Sequence, residues 1–207
     1  RDDDDGKVPL SSTTIATNLR DQINAFTAYE AKMTKSTLHI RRKNGGEFKI
    51  QVEDSRSNTH ISLATQSVQR FSDLLTVAPD GFVCEVKGDA NSKFDNYFVR
   101  FEADEAGAFD QGLWVETVKP GIPFKLDAGT MPHALVRTSA GTFEFKQLEW
   151  ADRECGDEDS IPTPSFVGRK LAAPFFYRNR IGFLARENVI MSEAGEFFNF
   201  FATTATA

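Results

Sequence analysis

The feature that most constrains the fold is a series of short segments between residues 82 and 148, each rich in aromatic and β-branched side chains. They occupy residues 82–86, 97–101, 113–118, 134–137 and 142–148, and Gly, Asp and Asn residues separate them. Such side chains favour extended strands, and the intervening residues favour turns. Five strands in close succession predict antiparallel sheet.

Apolar residues also recur at helical spacing in two places upstream of that series. The first stripe lies within residues 12–30, with candidate N-caps from Ser11 to Thr14, and the second stops before the turn at residues 79–81. The members of the two stripes are Ile15, Leu19, Ile23 and Phe26, and then Val68, Phe71, Leu74 and Leu75. The sequence therefore predicts two amphipathic helices.

A β-hairpin is predicted between these two stripes. Apolar and polar residues alternate over residues 38–41 and again over residues 48–52, and Asn44, Gly45 and Gly46 lie between the two runs. Alternation on both sides of an Asn-Gly turn is typical of paired antiparallel strands.

The order of these elements favours an α+β, β-rich fold with antiparallel sheets and two amphipathic helices in its N-terminal part. Helices and strands do not alternate strictly, which argues against a parallel doubly wound sheet. After Trp150 comes the polar run 152–159, followed by Pro162 and Pro164, and this stretch is predicted to be an exposed connection. Residues 165–207 are predicted to form aromatic strands that need partners from elsewhere.

Composition excludes several classes of protein. With 40% hydrophobic and 26% charged residues, the chain is typical of globular domains. No apolar run approaches the roughly 20 residues of a membrane-spanning helix.

The run from Asp2 to Asp5 is predicted to be a disordered or cut edge of a longer chain. Cys84 and Cys155 lack CxxC spacing, so we expect a reducing compartment and, for Cys84, a buried thiol.

No motif of a common enzyme class is present, whether for phosphate binding, zinc, a nucleophilic serine or redox chemistry. His39, His60 and His133 lie in separate segments, which argues against a metal site. We therefore predict no catalytic residue, no metal and no cofactor. The carboxylates of residues 152–159 admit two other interpretations, a calcium site or the acid pair of a glycosidase. A solvated loop is the favoured interpretation.

Cationic and aromatic residues are mixed in residues 175–184, as in single-strand nucleic-acid platforms. The net charge is −6, yet residues 161–207 contain five basic and three acidic residues. In one continuous strand Phe176, Arg178 and Arg180 would share a face, opposite Phe175 and its alternate neighbours. A packed sheet with a cationic face is favoured. Arg169, Arg178 and Arg180 are the candidate contacts to DNA or to another subunit.

The same C-terminal residues carry a family resemblance. The matching motifs are SFVGR at 165–169, FFYRNRIGFL at 175–184, ENVIMS at 187–192 and GEFFNF at 195–200, preceded in the same order by FSDL at 71–74, APDG at 78–81, FDNYFV at 94–99, WVET at 114–117 and TMP at 130–132. Together they closely resemble the tail tubular protein B, or nozzle, family of podoviruses, which are short-tailed bacteriophages. The likeness spans approximately residues 15–200.

The resemblance implies a structural, non-enzymatic component of the virion tail, assembled in the bacterial host cytoplasm. It implies a homohexamer that contacts a tail adaptor protein similar to tail tubular protein A, tail fibres and, transiently, phage DNA during ejection. It also implies an inserted platform-like α+β domain over residues 1–125 and the start of a β-propeller-like domain over residues 126–207. The alternative is a tail protein that degrades or binds envelope glycans.

Overall fold

The computed structural model describes residues 11–54, 60–88 and 96–205, so the predicted edge from Asp2 to Asp5 lies outside the described residues. The elements in chain order are α1 (Ser12–Asn24), β1 (Tyr29–Thr34), β2 (Thr37–Arg42), β3 (Ser67–Val68), a 3-10 turn (Phe71–Asp73), β4 (Val77–Pro79), β5 (Val83–Val86), β6 (Tyr97–Ala103), β7 (Phe109–Thr117), β8 (Ala134–Arg137), β9 (Phe143–Lys146), β10 (Ala173–Tyr177), β11 (Arg180–Ala185) and β12 (Asn188–Met191). All five strands predicted between residues 82 and 148 are confirmed.

The strands β1 to β12 form four sheets. The largest has the order β3-β5-β6-β7-β4, in which β3 is parallel to β5 and β4 is antiparallel to β7. The three-stranded sheet β10-β11-β12 and the two hairpins β1–β2 and β8–β9 are antiparallel. The architecture is β-rich, and the part of the chain that the structure describes contains a single α-helix.

The prediction of an α+β fold with two amphipathic helices is therefore wrong. Residues 68–75 contribute the last residue of β3 and a 3-10 turn of three residues. Val68 is held in the sheet, where its carbonyl accepts a hydrogen bond of 3.0 Å from the amide of Lys87, and Phe71 is exposed. The predicted propeller-like strands are also wrong, because residues 173–191 form a three-stranded sheet and no propeller occurs among the described residues.

Helix α1 is confirmed, although it is shorter than predicted. The Ser11 hydroxyl caps it by accepting a hydrogen bond of 3.1 Å from the amide of Thr14. Its buried residue is Ala16, whereas Ile15 and Leu19 of the predicted stripe are exposed. One contact of the helix with the β1–β2 hairpin is made by Thr17, whose hydroxyl lies 3.7 Å from the Met33 sulfur. Asn24 fixes its end, since its side chain makes hydrogen bonds to both the amide and the carbonyl of Ala31.

A hairpin forms near the predicted place but with a different partner. Strand β2 pairs with the upstream strand β1, and the turn between them has Lys35 in the left-handed region at φ 55°. Residues 48–52 form no strand. The side chain of Asn44 accepts a hydrogen bond from the amide of Gly46 within a local loop. The Asn-Gly sequence therefore follows the end of β2 but does not lead into a second, paired strand.

The chain contains two compact units. The first comprises Arg1–Gln66, Ser72–Phe82 and Arg100–Val115, and the second comprises Ser67–Phe71, Val83–Val99 and Glu116–Ala207. In the first unit the ring centroids of Trp114 and Phe101 lie 5.0 Å apart. The indole nitrogen of Trp114 donates a hydrogen bond to the carbonyl of Leu75. The core of the second unit contains Met131, Trp150, Phe166, Phe183 and Ala185. The division predicted at residue 125 stays a prediction.

Candidate functional site

The turn between β10 and β11 determines where the predicted cationic residues lie. Arg178 and Asn179 both adopt left-handed conformations, at φ 46° and 60°, as the type I′ two-residue hairpin turn requires. The chain therefore reverses there, and Tyr177 pairs with Arg180 across the hairpin. Arg180 consequently shares a face with Tyr177 and not with Phe176. The predicted cationic face of one continuous strand is wrong, because the segment is two strands.

The three candidate arginines have different environments. Arg178 lies at the turn with its guanidinium over the Tyr177 ring, 5.4 Å from the ring centroid. Arg180 donates a hydrogen bond of 2.7 Å from Nη1 to the carbonyl of Ser192, and the same atom lies 4.0 Å from the Glu193 carboxylate. Arg169 is exposed in the loop before β10. Two of the three cations are thus exposed, and the third helps to hold β11 near residue 192.

The acidic loop of residues 152–163 is ordered around Asp157, which is buried. Its Oδ1 accepts hydrogen bonds of 3.0 Å from the amides of Asp159 and Ser160 and one of 3.1 Å from the Ser160 hydroxyl. Lys119 lies 3.6 Å from Oδ2. Burial opposes ionisation of Asp157, but these hydrogen bonds outweigh it and hold its pKa below the ordinary value. Asp157 is therefore a structural carboxylate of a tight turn.

Arg153 lies at the centre of the same loop, and its side chain is completely buried. Nη2 donates hydrogen bonds of 2.6 Å to the Glu158 carboxylate and 2.8 Å to the Thr163 hydroxyl. The guanidinium carbon also lies 5.2 Å from the centroid of the Phe201 ring. Sequence reasoning missed this residue. The available signal was an arginine followed five positions later by a carboxylate, within a run that is otherwise acidic.

These contacts argue against the two chemical interpretations of the acidic loop. A glycosidase needs one carboxyl group with a raised pKa to act as proton donor. Burial favours protonation of Glu158, but hydrogen bonds from Thr163 and Arg153 outweigh it and lower its pKa. Asp152 pairs with Lys125 at 3.1 Å. No group of three or more metal-type ligands occurs among the residues that the structure describes. The loop is also not simply solvated, because Asp157 and Arg153 are buried.

The remaining candidate residues are placed apart from one another. The ring centroids of His39 and Phe109 lie 5.7 Å apart, and burial lowers the pKa of His39. His133 stacks on Phe145, with the two ring centroids 5.2 Å apart. Cys84 is buried, as predicted. Across residues 11–54, 60–88 and 96–205, no helix has both the length and the apolar character needed to cross a bilayer.

Comparison with known proteins identifies the family. The family described as bacteriophage nozzle protein matches residues 2–207. This chain belongs to the bacteriophage nozzle protein family. The family resemblance seen in the sequence is thereby confirmed, together with the predicted location in the virion tail. Membership also fits a site without catalytic geometry, since the family is one of structural tail proteins.

A curated relative supports the same assignment. The nozzle chain is 38% identical over 165 residues to tail tubular protein gp12 of Escherichia phage T7. The matched region is 79% of this chain and 20% of the T7 protein, so the chain spans about a fifth of that relative's length.

Proposed function

We propose that this chain forms part of the wall of a short phage tail, at the nozzle through which the genome leaves the particle. The observation that carries this proposal is the match to the nozzle family over residues 2–207. The local chemistry supports it, because the carboxylates most suitable for catalysis are engaged in structural hydrogen bonds. The chain then acts by shape and assembly, without turning over a substrate.

In this proposal the complete protein assembles as a homohexamer and contacts an adaptor protein, tail fibres and, transiently, DNA. Tubes are built from identical copies through contacts that close into rings. The chain exposes large apolar side chains, including Leu113, Leu135 and Phe145, which are suited to such contacts.

Electron microscopy of the complete protein, with and without the adaptor protein, tests this function. We expect a sixfold ring or tube in the mixture. Monomers that persist in both samples at micromolar concentration would contradict the proposal. A ring with a different symmetry would preserve the structural role and refute the hexamer.

We also propose that Arg169, Arg178 and Arg180 contribute to transient DNA contact. Arg169 and Arg178 are exposed, whereas Arg180 already donates to the Ser192 carbonyl, so the first two should contribute more. Phosphate contacts weaken as salt rises, with a slope that grows by about one per contact. Arg169→Gln and Arg178→Gln should each reduce the salt slope of DNA association, and Lys125→Gln is a matched control. Unchanged slopes would refute this contact.

Catalysis of glycan cleavage is not part of the proposed function. Incubation of the complete protein with host envelope glycans should release no more reducing ends than the heat-inactivated protein does. Release that disappears in Glu158→Gln, while the fold is retained, would contradict this expectation.

A further inference from the structure

The β1–β2 hairpin concentrates positive charge in a chain that is acidic overall. Residues 28–43 contain five basic residues and one acidic residue, a net charge of +4, whereas the whole chain has a net charge of −6. Lys32, Lys35, Arg41 and Lys43 are all exposed. We refer to these four residues as the cationic hairpin. A local cluster of this kind creates a positive potential that attracts anions despite the opposite net charge of the chain.

The strand register places three of these cations on one side of the hairpin. Arg41 pairs with Glu30 across the ladder. Lys32 pairs with His39, so Lys32 and Arg41 are diagonal neighbours on that side. Lys43 continues the same ladder, because its amide donates a hydrogen bond of 3.0 Å to the residue that precedes β1. Residues two apart in a strand are separated by about 7 Å, so Arg41 and Lys43 can each contact a different anionic group.

One carboxylate, that of Glu30, lies among these cations. Nε of Arg41 donates a hydrogen bond of 2.6 Å to it. This hydrogen bond, together with the charges of Arg41, Lys32 and Lys43, holds the pKa of Glu30 below its ordinary value. Lys32, Lys35 and Lys43 make no ion pair within the described residues. Most of the positive charge of the cationic hairpin is therefore left for an external partner.

The backbone that carries these cations is held from both sides. On one side the Asn24 side chain of α1 makes hydrogen bonds to the amide and the carbonyl of Ala31. On the other side the Thr34 hydroxyl donates a hydrogen bond to the carbonyl of Phe109 in β7, against whose ring His39 lies. A ligand would therefore have to order only the long side chains of the cations, which lowers the entropic cost of binding.

The composition of this surface argues against a protein or a membrane as the partner. No large apolar side chain within residues 28–43 is exposed. Protein interfaces have an apolar core and are poor in lysine. Amphipathic elements that bind membranes insert an apolar face beside their basic one. The cationic hairpin offers charge without either apolar component.

The same surface also lacks a platform for single-stranded nucleic acid, which is held by stacking of its bases on free aromatic rings. Tyr29 is the aromatic residue of the hairpin, and its ring is already covered. The ring centroids of Tyr29 and Phe48 lie 5.5 Å apart, and the guanidinium of Arg42 lies 5.9 Å from the Tyr29 centroid. The partner that fits is one contacted through charge alone, and the phosphate backbone of a DNA duplex is such a partner.

We propose that the cationic hairpin binds the phosphate backbone of double-stranded DNA without regard to base sequence. Lysine contacts phosphate as a point charge, and three of the four cations are lysines. This inference rests on the proposed function, since it gives the nozzle a further surface for the genome. The surface belongs to the first compact unit, whereas Arg169 and Arg178 belong to the second.

Fluorescence anisotropy of a labelled short DNA duplex with the complete protein tests the site. Lys32→Gln combined with Lys43→Gln should reduce the slope of log affinity against log salt concentration by about two, because each phosphate contact contributes about 0.9 to that slope. The matched control combines Lys125→Gln with Lys146→Gln, which removes the same charge from exposed lysines of the second unit. The control should keep the wild-type slope. An equal loss of slope in both variants would show a general effect of charge and overturn the site.

Two further comparisons test the chemistry of the contact. Lys32→Arg combined with Lys43→Arg keeps both charges and should retain the wild-type slope, and a reduced slope in this variant would contradict a contact made through charge alone. The wild-type protein should bind the duplex more tightly than oligo(dT) of the same length. Preference for oligo(dT), or binding to vesicles of anionic phospholipid in the absence of duplex binding, would overturn the assignment to double-stranded DNA.

Electron microscopy of the same samples separates this inference from the proposed function. Wild-type rings that bind no duplex DNA at low salt would refute the role of the cationic hairpin and leave the structural role intact. A wild-type protein that forms no ring even with the adaptor would refute the proposed function itself, whatever its affinity for DNA.

Discussion

The ring of Phe175 covers Gly182, its cross-strand partner, so closely that a Cβ atom at position 182 would overlap the ring. Gly182 is not in the left-handed region, so the requirement for glycine is one of space. Gly182→Ala should therefore destabilise the β10-β11-β12 sheet by about 1–3 kcal/mol, the usual cost of overpacking. Thermal unfolding of the complete protein, with hydrogen exchange over residues 173–191, measures the effect.

A double-mutant cycle provides the control for this prediction. In Phe175→Leu the flat ring is absent, so Gly182→Ala should cost less in that background than in the wild type. Equal costs in both backgrounds would show that the ring does not restrict position 182.

Replacement of Arg153 should loosen the loop of residues 152–163. Arg153→Ala removes two hydrogen bonds and the contact with Phe201, and it should cost about 2–3 kcal/mol, since hydrogen bonds that involve a charged group contribute about 1.5–3 kcal/mol. Nε and Nη1 have no hydrogen-bond partner within the described residues. Arg153→Met keeps the volume without those buried donors and should cost less than Arg153→Ala.

Hydrogen exchange of the segment 150–163 reports the loosening of this loop. Lys125→Met is a suitable comparison, since the Lys125–Asp152 pair is exposed and should contribute less than about 1 kcal/mol. The prediction fails if Arg153→Ala exchanges no faster than Lys125→Met.

The Asp157 turn should make stability depend on acid pH. Its pKa is lower in the folded protein than the ordinary 3.8, so its contribution is complete above that value and is lost as the pH falls through the lower folded pKa. Asp157→Asn should lower stability by about 1–2 kcal/mol at pH 7, because hydrogen bonds to an ionised acceptor are stronger. The difference in melting temperature between the two proteins should shrink towards pH 3. A constant difference would contradict this assignment.

Neither native cysteine should react with alkylating reagents while the protein is folded. Burial, with the Glu116 carboxylate nearby, raises the pKa of Cys155 to about 11, and burial raises that of Cys84 as well. The thiolate is the reactive form, so both should stay unmodified by iodoacetamide at pH 8 and react after denaturation. Mass spectrometry measures the modification. A cysteine introduced by Ser139→Cys, at the exposed tip of the β8–β9 hairpin, should react in the native protein.

The sequence predicted strands and caps correctly where the local pattern of a segment agrees with its place in the folded protein. The strands between residues 82 and 148 and the Ser11 cap depend on side-chain shape and short-range hydrogen bonds, which the sequence contains directly. The second helix failed because Val68 pairs with a strand distant in the sequence, and periodicity does not reveal such pairing.

The candidate site was predicted less well, for two physical reasons. The turn at Arg178 and Asn179 lacks glycine, so the reversal that moves Arg180 to the other face has no strong sequence signal. The burial of Arg153 depends on Phe201, which follows it by 48 positions, and a charged residue in a polar run is ordinarily exposed. The family motifs supplied the family assignment, but they indicated neither this turn nor the burial of Arg153.

The stretch of residues 201–205 is joined to the second unit by side chains instead of by a β-ladder. Glu116 accepts hydrogen bonds of 2.9 Å from the Thr204 hydroxyl and 2.8 Å from the Ala205 amide, and Phe201 lies against the buried Arg153. Two separate anchors therefore hold this stretch, Glu116 of β7 and Arg153 of the acidic loop. Loss of one anchor would leave the other to keep the stretch in place.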